Sequence, residues 1–306
     1  MLALLCGGQG LVSAGMFSLT AEMREAQPVF DAASVLLGTD PRSLVRDEPA
    51  EEIAQNRTSQ ILSVTASLAQ FAMLAPALPT RFMVTGYSVG EMAAWSLADI
   101  WTPAEALRLT AIRAQAMDEA SHVPGRLCYV RGLGRAKLAQ LAQAHGCEIA
   151  IMSPGDLITL GGPEHAMAAF CAAARSAGAG RAEILAVHVA AHTSLVSAAV
   201  PVFEAALRES HAHDARPGCP LLAGGNGERI FKAEAGFIRL AAQIAEPIDW
   251  IGTLDSLIER GADCILDLGP GSALQRGAAS YLPKIPCYAA ESFQTAAGLR
   301  EWLRAG

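Results

Sequence analysis

Short apolar runs alternate with longer stretches of helical spacing along most of the chain, the pattern of a mostly parallel sheet covered by helices on both faces. The first run, Met1 to Cys6, reads as a strand and ends in Gly7-Gly8-Gln9-Gly10. Residues 15–37 carry helical apolar spacing, and 38–56 form a polar, turn-rich segment. Ser59 to Ala66 opens a long apolar helix that runs toward Pro76 and Pro79. Arg81 to Thr85 is again strand-like, and Glu91 to Trp95 opens the next helix. Thr102-Pro103 then has the form of an N-cap followed by proline at the first helical position, starting a helix that carries Arg108 and Arg113 and ends near Ser121.

From about Gly125 the texture changes. The pattern predicts a strand at 126–133, a helix at 136–145, strands at 147–151 and 157–161, a helix at 164–177 and a strand at 182–189. That β-α-β-β-α-β order is ferredoxin-like. The remainder predicts helices at 194–209, 237–245 and 251–260, a strand at 220–223 and a buried strand at Cys264 to Leu268 ending in Gly269-Pro270-Gly271. The expected architecture is α/β: a large α/β-hydrolase-like parallel-sheet domain made of residues 1–124 and 189–306, with a ferredoxin-like subdomain inserted at 125–188.

Composition narrows the function classes. The 306 residues suit one large α/β domain with an insert, and an apolar fraction of 52% supports a sizeable core. Polar residues interrupt the apolar runs, as Ser63, Thr65, Ser67 and Gln70 do between Ile61 and Leu78, so a soluble protein is expected. The N-terminus lacks the basic n-region of a secretory signal. Seven cysteines without C-x-x-C spacing argue against zinc and against a disulfide framework, and fit reduced thiols in a cytoplasm. A net charge of −7 with no basic run gives no footprint for nucleic acid.

The chemistry centres on Gly86-Tyr87-Ser88-Val89-Gly90, which fits G-x-S-x-G between a strand and a helix. In such a nucleophile elbow the serine is exposed at a tight turn, and the first N–H groups of the following helix point at any charge that develops beside it. The same five residues also fit a plain strand-to-helix turn, as does Gly7 to Gly10. Of the seven histidines, His211 and His213 lie in a polar segment, and His122, His145 and His165 lie at helix ends or turns. His188 and His192 remain as candidate bases, with His192 at a junction after the last strand of the insert.

Several motifs in order resemble the malonyl-CoA:acyl-carrier-protein transacylase family over nearly the whole length. Cys6 to Gly10 resembles F-P-G-Q-G without its first two residues. Thr58-Ser59-Gln60 resembles T-x-Q, Gly86 to Glu91 resembles G-H-S-x-G-E with tyrosine for histidine, and Arg113 to Met117 fits R-x-x-x-M. His192-Thr193-Ser194, Gln243 to Trp250 and Leu268 to Gly271 match the later segments.

The resemblance implies that Ser88 attacks a malonyl thioester with His192 as general base, the imidazole being oriented by a backbone carbonyl at Gln243. It further implies an oxyanion hole from the Val89 N–H together with Gln9, and carboxylate binding by Arg113. The substrate would be malonyl-CoA and the acceptor an acyl carrier protein bearing a phosphopantetheine-type arm, with no cofactor or metal of the enzyme's own. Tyr87, the Val130 to Leu133 run and Val189 to Thr193 resemble the malonate decarboxylase branch, whose transacylase loads that enzyme's own carrier subunit; the fatty-acid-synthesis transacylase is the alternative. Met152-Ser153-Pro154 and Gly224 depart from the family's N-x-P and asparagine, and Ala190-Ala191 removes the bulkier pair that discriminates malonyl from methylmalonyl. A serine esterase or thioesterase shares the elbow but calls for an acidic third member. A non-catalytic docking subunit would have no reason to keep Ser88, His192, Arg113 and Gln9 together.

Overall fold

In chain order the strands of the computed structural model, which describes residues 1–305, are β1 (Leu2–Cys6), β2 (Phe82–Gly86), β3 (Gly125–Arg131), β4 (Glu148–Ser153), β5 (Leu157–Pro163) and β6 (Arg181–Ile184), then β7 (Leu221–Leu222), β8 (Arg229–Ile230), β9 (Ile248–Asp249), β10 (Cys264–Asp267) and β11 (Cys287–Ala289). They form two sheets. The larger has the order β11-β10-β1-β2-β7-β8 and is parallel except for the β7–β8 pair. Its central strands β1 and β2 are buried along their whole length, as a sheet covered on both faces requires. The smaller sheet has the order β6-β3-β5-β4-β9; it is antiparallel within the 125–184 segment, and β9, from much later in the chain, adds to it in parallel through Ile151 and Met152.

Each sheet has its own apolar centre. Alternation along β3 divides the strand between them: Leu127 joins the large core, while Cys128 and Val130 pack in a smaller one with Leu138, Leu160, Met167 and Phe170. The helix Asn56–Leu74 runs through the large core. By length and hydropathy the stretch Asn56–Ala77 could cross a bilayer, but 78% of its most apolar window is covered by the rest of the protein. Its buried Ser63 and Thr65 are satisfied within the helix, donating to the carbonyls of Ser59 and Ile61. All seven cysteines are free.

The structure departs from the sequence expectations at several places. The helix expected over 15–37 is regular only from Gln27 to Leu37, because Pro28 starts it and the preceding residues fold as successive turns. The segment read as turns, 38–56, holds the helices Pro41–Asp47 and Ala50–Ile53, the first capped by Asp40. The strand expected at 182–189 stops at Ile184; after Leu185 N–H bonds Leu127 O, the chain leaves the sheet and delivers His192 to the larger domain. The helix expected at 194–209 is a short 3-10 turn at Ser194–Val196 followed by a helix only from Ala199 to Arg208. Pro201 has no N–H to offer Ser197, which breaks continuity. The next helix spans Ala233–Ala242 rather than 237–245. The helices Ala273–Tyr281 and Ala296–Ala305 complete the fold.

Candidate active site

β2 ends at Gly86 and the helix Gly90–Leu97 starts four residues later, so the turn between them is tight. A Cβ on Gly86 would lie 2.2 Å from the Glu91 nitrogen, and one on Gly90 2.2 Å from the Cys6 carbonyl oxygen; only glycine fits either place. Between them Ser88 adopts a left-handed backbone, φ 55°, which a non-glycine residue occupies only when its surroundings impose it. The elbow read from the sequence is therefore a real constraint of the fold.

His192 also has a left-handed backbone, φ 63°. Its main-chain N–H bonds Ile244 O at 2.7 Å, and its ring Nδ1 lies 2.5 Å from Gln243 O. A carbonyl can only accept, so Nδ1 carries the proton and Nε2 is left as the acceptor. Ser88 Oγ sits 2.7 Å from Nε2 and donates to it. Gln243 caps the helix Ala233–Ala242, and its carbonyl is among those a helix C-terminus leaves without an intrahelical partner. The negative end of that helix supports the positive charge His192 would acquire on taking a proton. Burial, and then the Arg113 charge, push the His192 pKa down to about 3, against the opposing Gln243 bond. The imidazole is thus neutral, and able to accept, across the pH range of ordinary folding.

Arg113 projects from the helix Pro103–Ala120 and is 1% exposed. Its Nη1 donates to Gln60 Oε1 at 2.6 Å, while Nε and Nη2, equally buried, have no partner. Burial lowers its pKa to about 10, the nearby Glu91 carboxylate opposing the shift, and it stays charged. Gln60 Nε2 bonds Asn56 Oδ1 at 2.7 Å, and Gln9 Nε2 approaches the same oxygen at 3.4 Å, so one amide chain runs from the glycine-rich turn after β1 to the guanidinium. The main-chain N–H groups of Gln9 and Val89 bond no acceptor among the described residues.

Glu91, one helical turn beyond Ser88, is buried behind the elbow. It accepts from Gly224 N at 2.8 Å, from Gln243 Nε2 at 2.5 Å and from Trp95 Nε1 at 3.3 Å. Neither it nor Asp267, the other buried carboxylate, bonds the His192 ring. Of the remaining candidates, His188 is partly exposed and makes no side-chain bond, and His211 and His213 are exposed.

A cleft of about 620 Å³ opens between the two sheets. Gly7 to Leu11, Tyr87, Trp250 and the helix Ala273–Tyr281 line one side, and Tyr129, Arg131, Ser153 to Gly155, Thr159 and Arg181 the other. Ser88 lies just beneath this lining, since a Cβ on Gly8 would meet Ser88 Cβ at 3.6 Å. Tyr87 packs edge-on against Trp250 at 5.1 Å. Gly224 does not reach the cleft: a Cβ there would collide with Gly86 O, so that departure affects the support of the elbow rather than the cleft wall.

The structure therefore brings together Ser88, His192, the Gln243 carbonyl, Gln9, Val89 and Arg113. Gln60 appeared in the sequence only as part of a matched segment, and Glu91 only as the last letter of the elbow motif; no role was attached to either. Asn56 falls in the segment read as polar and turn-rich, whereas it is the first residue of the helix Asn56–Leu74.

Comparison with known proteins gives the family of the chain. The acyl transferase domain family matches residues 5–219. The malonyl CoA-acyl carrier protein transacylase of Salmonella typhimurium is 30% identical over 287 residues, spanning 87% of this chain and 88% of that protein. The acyl-carrier-protein S-malonyltransferase of Burkholderia pseudomallei 1710b has a similar fold, with a TM-score of 0.88, 25% identity and 99% of each chain covered. The MCAT of Mycobacterium tuberculosis gives a TM-score of 0.88 at 26% identity, again over 99% of each chain. This chain belongs to the acyl transferase domain family.

Proposed function

We propose that this protein transfers a malonyl group from malonyl-CoA to the thiol of an acyl carrier protein through an acyl-enzyme at Ser88. The observation that carries the reading is Arg113: a buried cation beside the dyad with two donor nitrogens, Nε and Nη2, unpartnered, a pairing that a planar carboxylate completes with two parallel charge-assisted bonds. In the first half-reaction His192 Nε2 takes the Ser88 proton as Oγ attacks the thioester carbonyl. The developing oxyanion is held by the free N–H groups of Val89 and Gln9. Collapse expels the CoA thiolate, which leaves with the proton from His192. In the second, His192 deprotonates the carrier thiol, which attacks the malonyl ester, and the Ser88 oxygen leaves with that proton returned by His192.

Two further features support transfer over hydrolysis. The orienting partner of His192 is a main-chain carbonyl rather than the carboxylate of a hydrolase triad, and Ser88 is only 7% exposed. Arg131, Arg181 and Arg276 line the cleft, where the phosphates of a CoA or of a carrier's phosphopantetheine arm would find them. We assign the 125–188 segment as a ferredoxin-like subdomain on an α/β-hydrolase-like domain, with the cleft between them receiving the thioester.

The branch we assign is the malonate decarboxylase transacylase, supported by Tyr87, Val130 to Leu133 and Val189 to Thr193. A second reading, the malonyl transacylase of fatty-acid synthesis, fits equally well with relatives named malonyl CoA-acyl carrier protein transacylases. Comparing kcat/KM for a fatty-acid-synthesis carrier and for a decarboxylase carrier subunit separates the two. For the activity itself, incubation with malonyl-CoA should add a malonyl mass to the peptide containing Ser88, and Ser88→Ala should lose it. A label that persists in that variant, or that maps to a cysteine, overturns the assignment.

A further inference from the structure

Glu91 plays no part in the transfer mechanism, yet its carboxylate is buried between the nucleophile's helix, the turn after β7 that packs on the elbow, and the segment that supports the base. Three N–H groups from separate parts of the chain converge on it: Trp95 from its own helix, Gly224 from the turn after β7, and Gln243 from the end of the helix Ala233–Ala242. The Gln243 contact matters most, because the same residue's main-chain carbonyl holds His192 Nδ1. Gly224 is packed so tightly that a Cβ would lie 1.8 Å from Gly86 O, so this anchor cannot yield. From this geometry we propose that Glu91 is a positioning residue for the dyad: its ionised carboxylate clamps the Gln243 side chain and thereby fixes the carbonyl that orients His192 toward Ser88. The proposal rests on the Ser88–His192 mechanism above but not on the identity of the acyl group.

The clamp depends on charge. All three contacts are N–H donors, which an ionised carboxylate satisfies and a carboxylic acid, with a proton of its own to place, satisfies poorly. Burial pushes Glu91 up to about 7, the Gly224 and Trp95 bonds and the Arg113 charge restraining the shift. The charged group facing it from the helix Pro103–Ala120 is Arg113. The titratable group on the neighbouring loop is His192, which stays neutral down to about pH 3. An acid limb in the rate near neutrality therefore belongs to Glu91 and not to the base: falling pH protonates Glu91, loosens Gln243 and slows acylation.

The experiment measures the burst of Ser88 acylation by p-nitrophenyl acetate from pH 5 to 9, alongside kcat and KM for malonyl-CoA, on wild type, Glu91→Gln and Glu91→Asp. The expected result is a wild-type burst rate that falls below about pH 7. Glu91→Gln should lack that limb and run about ten- to a hundred-fold slower, the order of loss that a misplaced catalytic group brings. Its KM for malonyl-CoA should be no higher than wild type, because the change removes an anion from the neighbourhood of Arg113. Glu91→Asp should restore the limb with part of the rate. A Glu91→Gln enzyme within two-fold of wild type, or one that keeps the acid limb, overturns the proposal. If Glu91→Gln melts below the assay temperature, Gln243→Ala carries the test, since it keeps the carbonyl and cuts only the clamp: a full burst rate overturns the proposal, and a slowed one supports it. The acetyl ester makes no demand on malonyl recognition, so loss of malonyl transfer alone leaves this result intact.

Discussion

His192 and Arg113 are both fully buried beside Ser88, and the fold finishes one and leaves the other open. Every nitrogen of His192 is engaged: the main-chain N–H by Ile244, Nδ1 by Gln243 and Nε2 by Ser88. Arg113 has one amide oxygen for its whole guanidinium, and Nε and Nη2 have no hydrogen-bond partner among the described residues. An unpartnered buried N–H costs about 1–3 kcal/mol, more beside a full charge, so the two sites differ in how much the protein itself satisfies them. The difference separates two kinds of catalytic burial. The base is preorganised by protein atoms, whereas on the function proposed above the arginine is left for the acyl carboxylate to complete.

The sharpest way to break the closed side is to remove the base. His192→Ala should cut acyl transfer about 10²–10⁴-fold, the contribution of a positioned general base. His211→Ala and His213→Ala, both at exposed positions, should match wild type. Retention of transfer within a few-fold in His192→Ala would move the role to His188, the only other histidine on the same connection.

The open side should respond selectively. Arg113→Ala loses a paired, charge-assisted contact to the malonyl carboxylate at about 1.5–3 kcal/mol per bond, so malonyl transfer should fall on the order of ten- to several-hundred-fold. Acetyl transfer should hold steady or rise, since a neutral acyl group no longer has to desolvate a bare cation. Arg113→Lys should recover only part of the malonyl rate, because a point charge cannot reproduce the fork. The check is kcat/KM for malonyl-CoA and acetyl-CoA with one carrier. Equal losses on both substrates would make Arg113 structural and erase the contrast with His192.

The same contrast explains what the chain disclosed before folding. The nucleophile, the base and the arginine were legible because each lies in a short local pattern, and the two sheets followed from runs long enough to show a period. β8 and β9 are two residues each, too short for any periodicity, yet β9 is what ties the region around Gln243 to the smaller sheet. The strained backbone of His192 was not legible either, because it arises where the chain abandons β6 and is caught by the end of a helix fifty residues later. Glu91 and Gln60 were visible as letters, but their partners are 152 and 53 residues away, and no spacing rule reaches so far. Short-range grammar reaches the residues that the fold brings together around Ser88; the groups that hold them are set by packing.

The smallest effect expected concerns a second set of arginines, and it tests whether depth rather than charge gives Arg113 its weight. Arg131, Arg181 and Arg276 line the cleft but are exposed. Their charges are hydrated before and after a phosphate arrives, and at physiological salt exposed charges more than about 8 Å apart are largely screened. Exposed ion pairs contribute roughly 0.2–1 kcal/mol, so each single Arg→Ala change should raise KM for malonyl-CoA no more than about five-fold. kcat should not move, because none of the three touches the reacting atoms. The effect should shrink further as salt rises from low to physiological concentration, whereas the Arg113→Ala loss, made inside the protein, should keep most of its size. The p-nitrophenyl acetate burst should be indifferent to all three, since that ester carries no phosphate. A rim variant whose loss rivals that of Arg113→Ala and resists salt would show that the cleft closes around its ligand, and that a residue exposed in the free protein becomes buried in the complex.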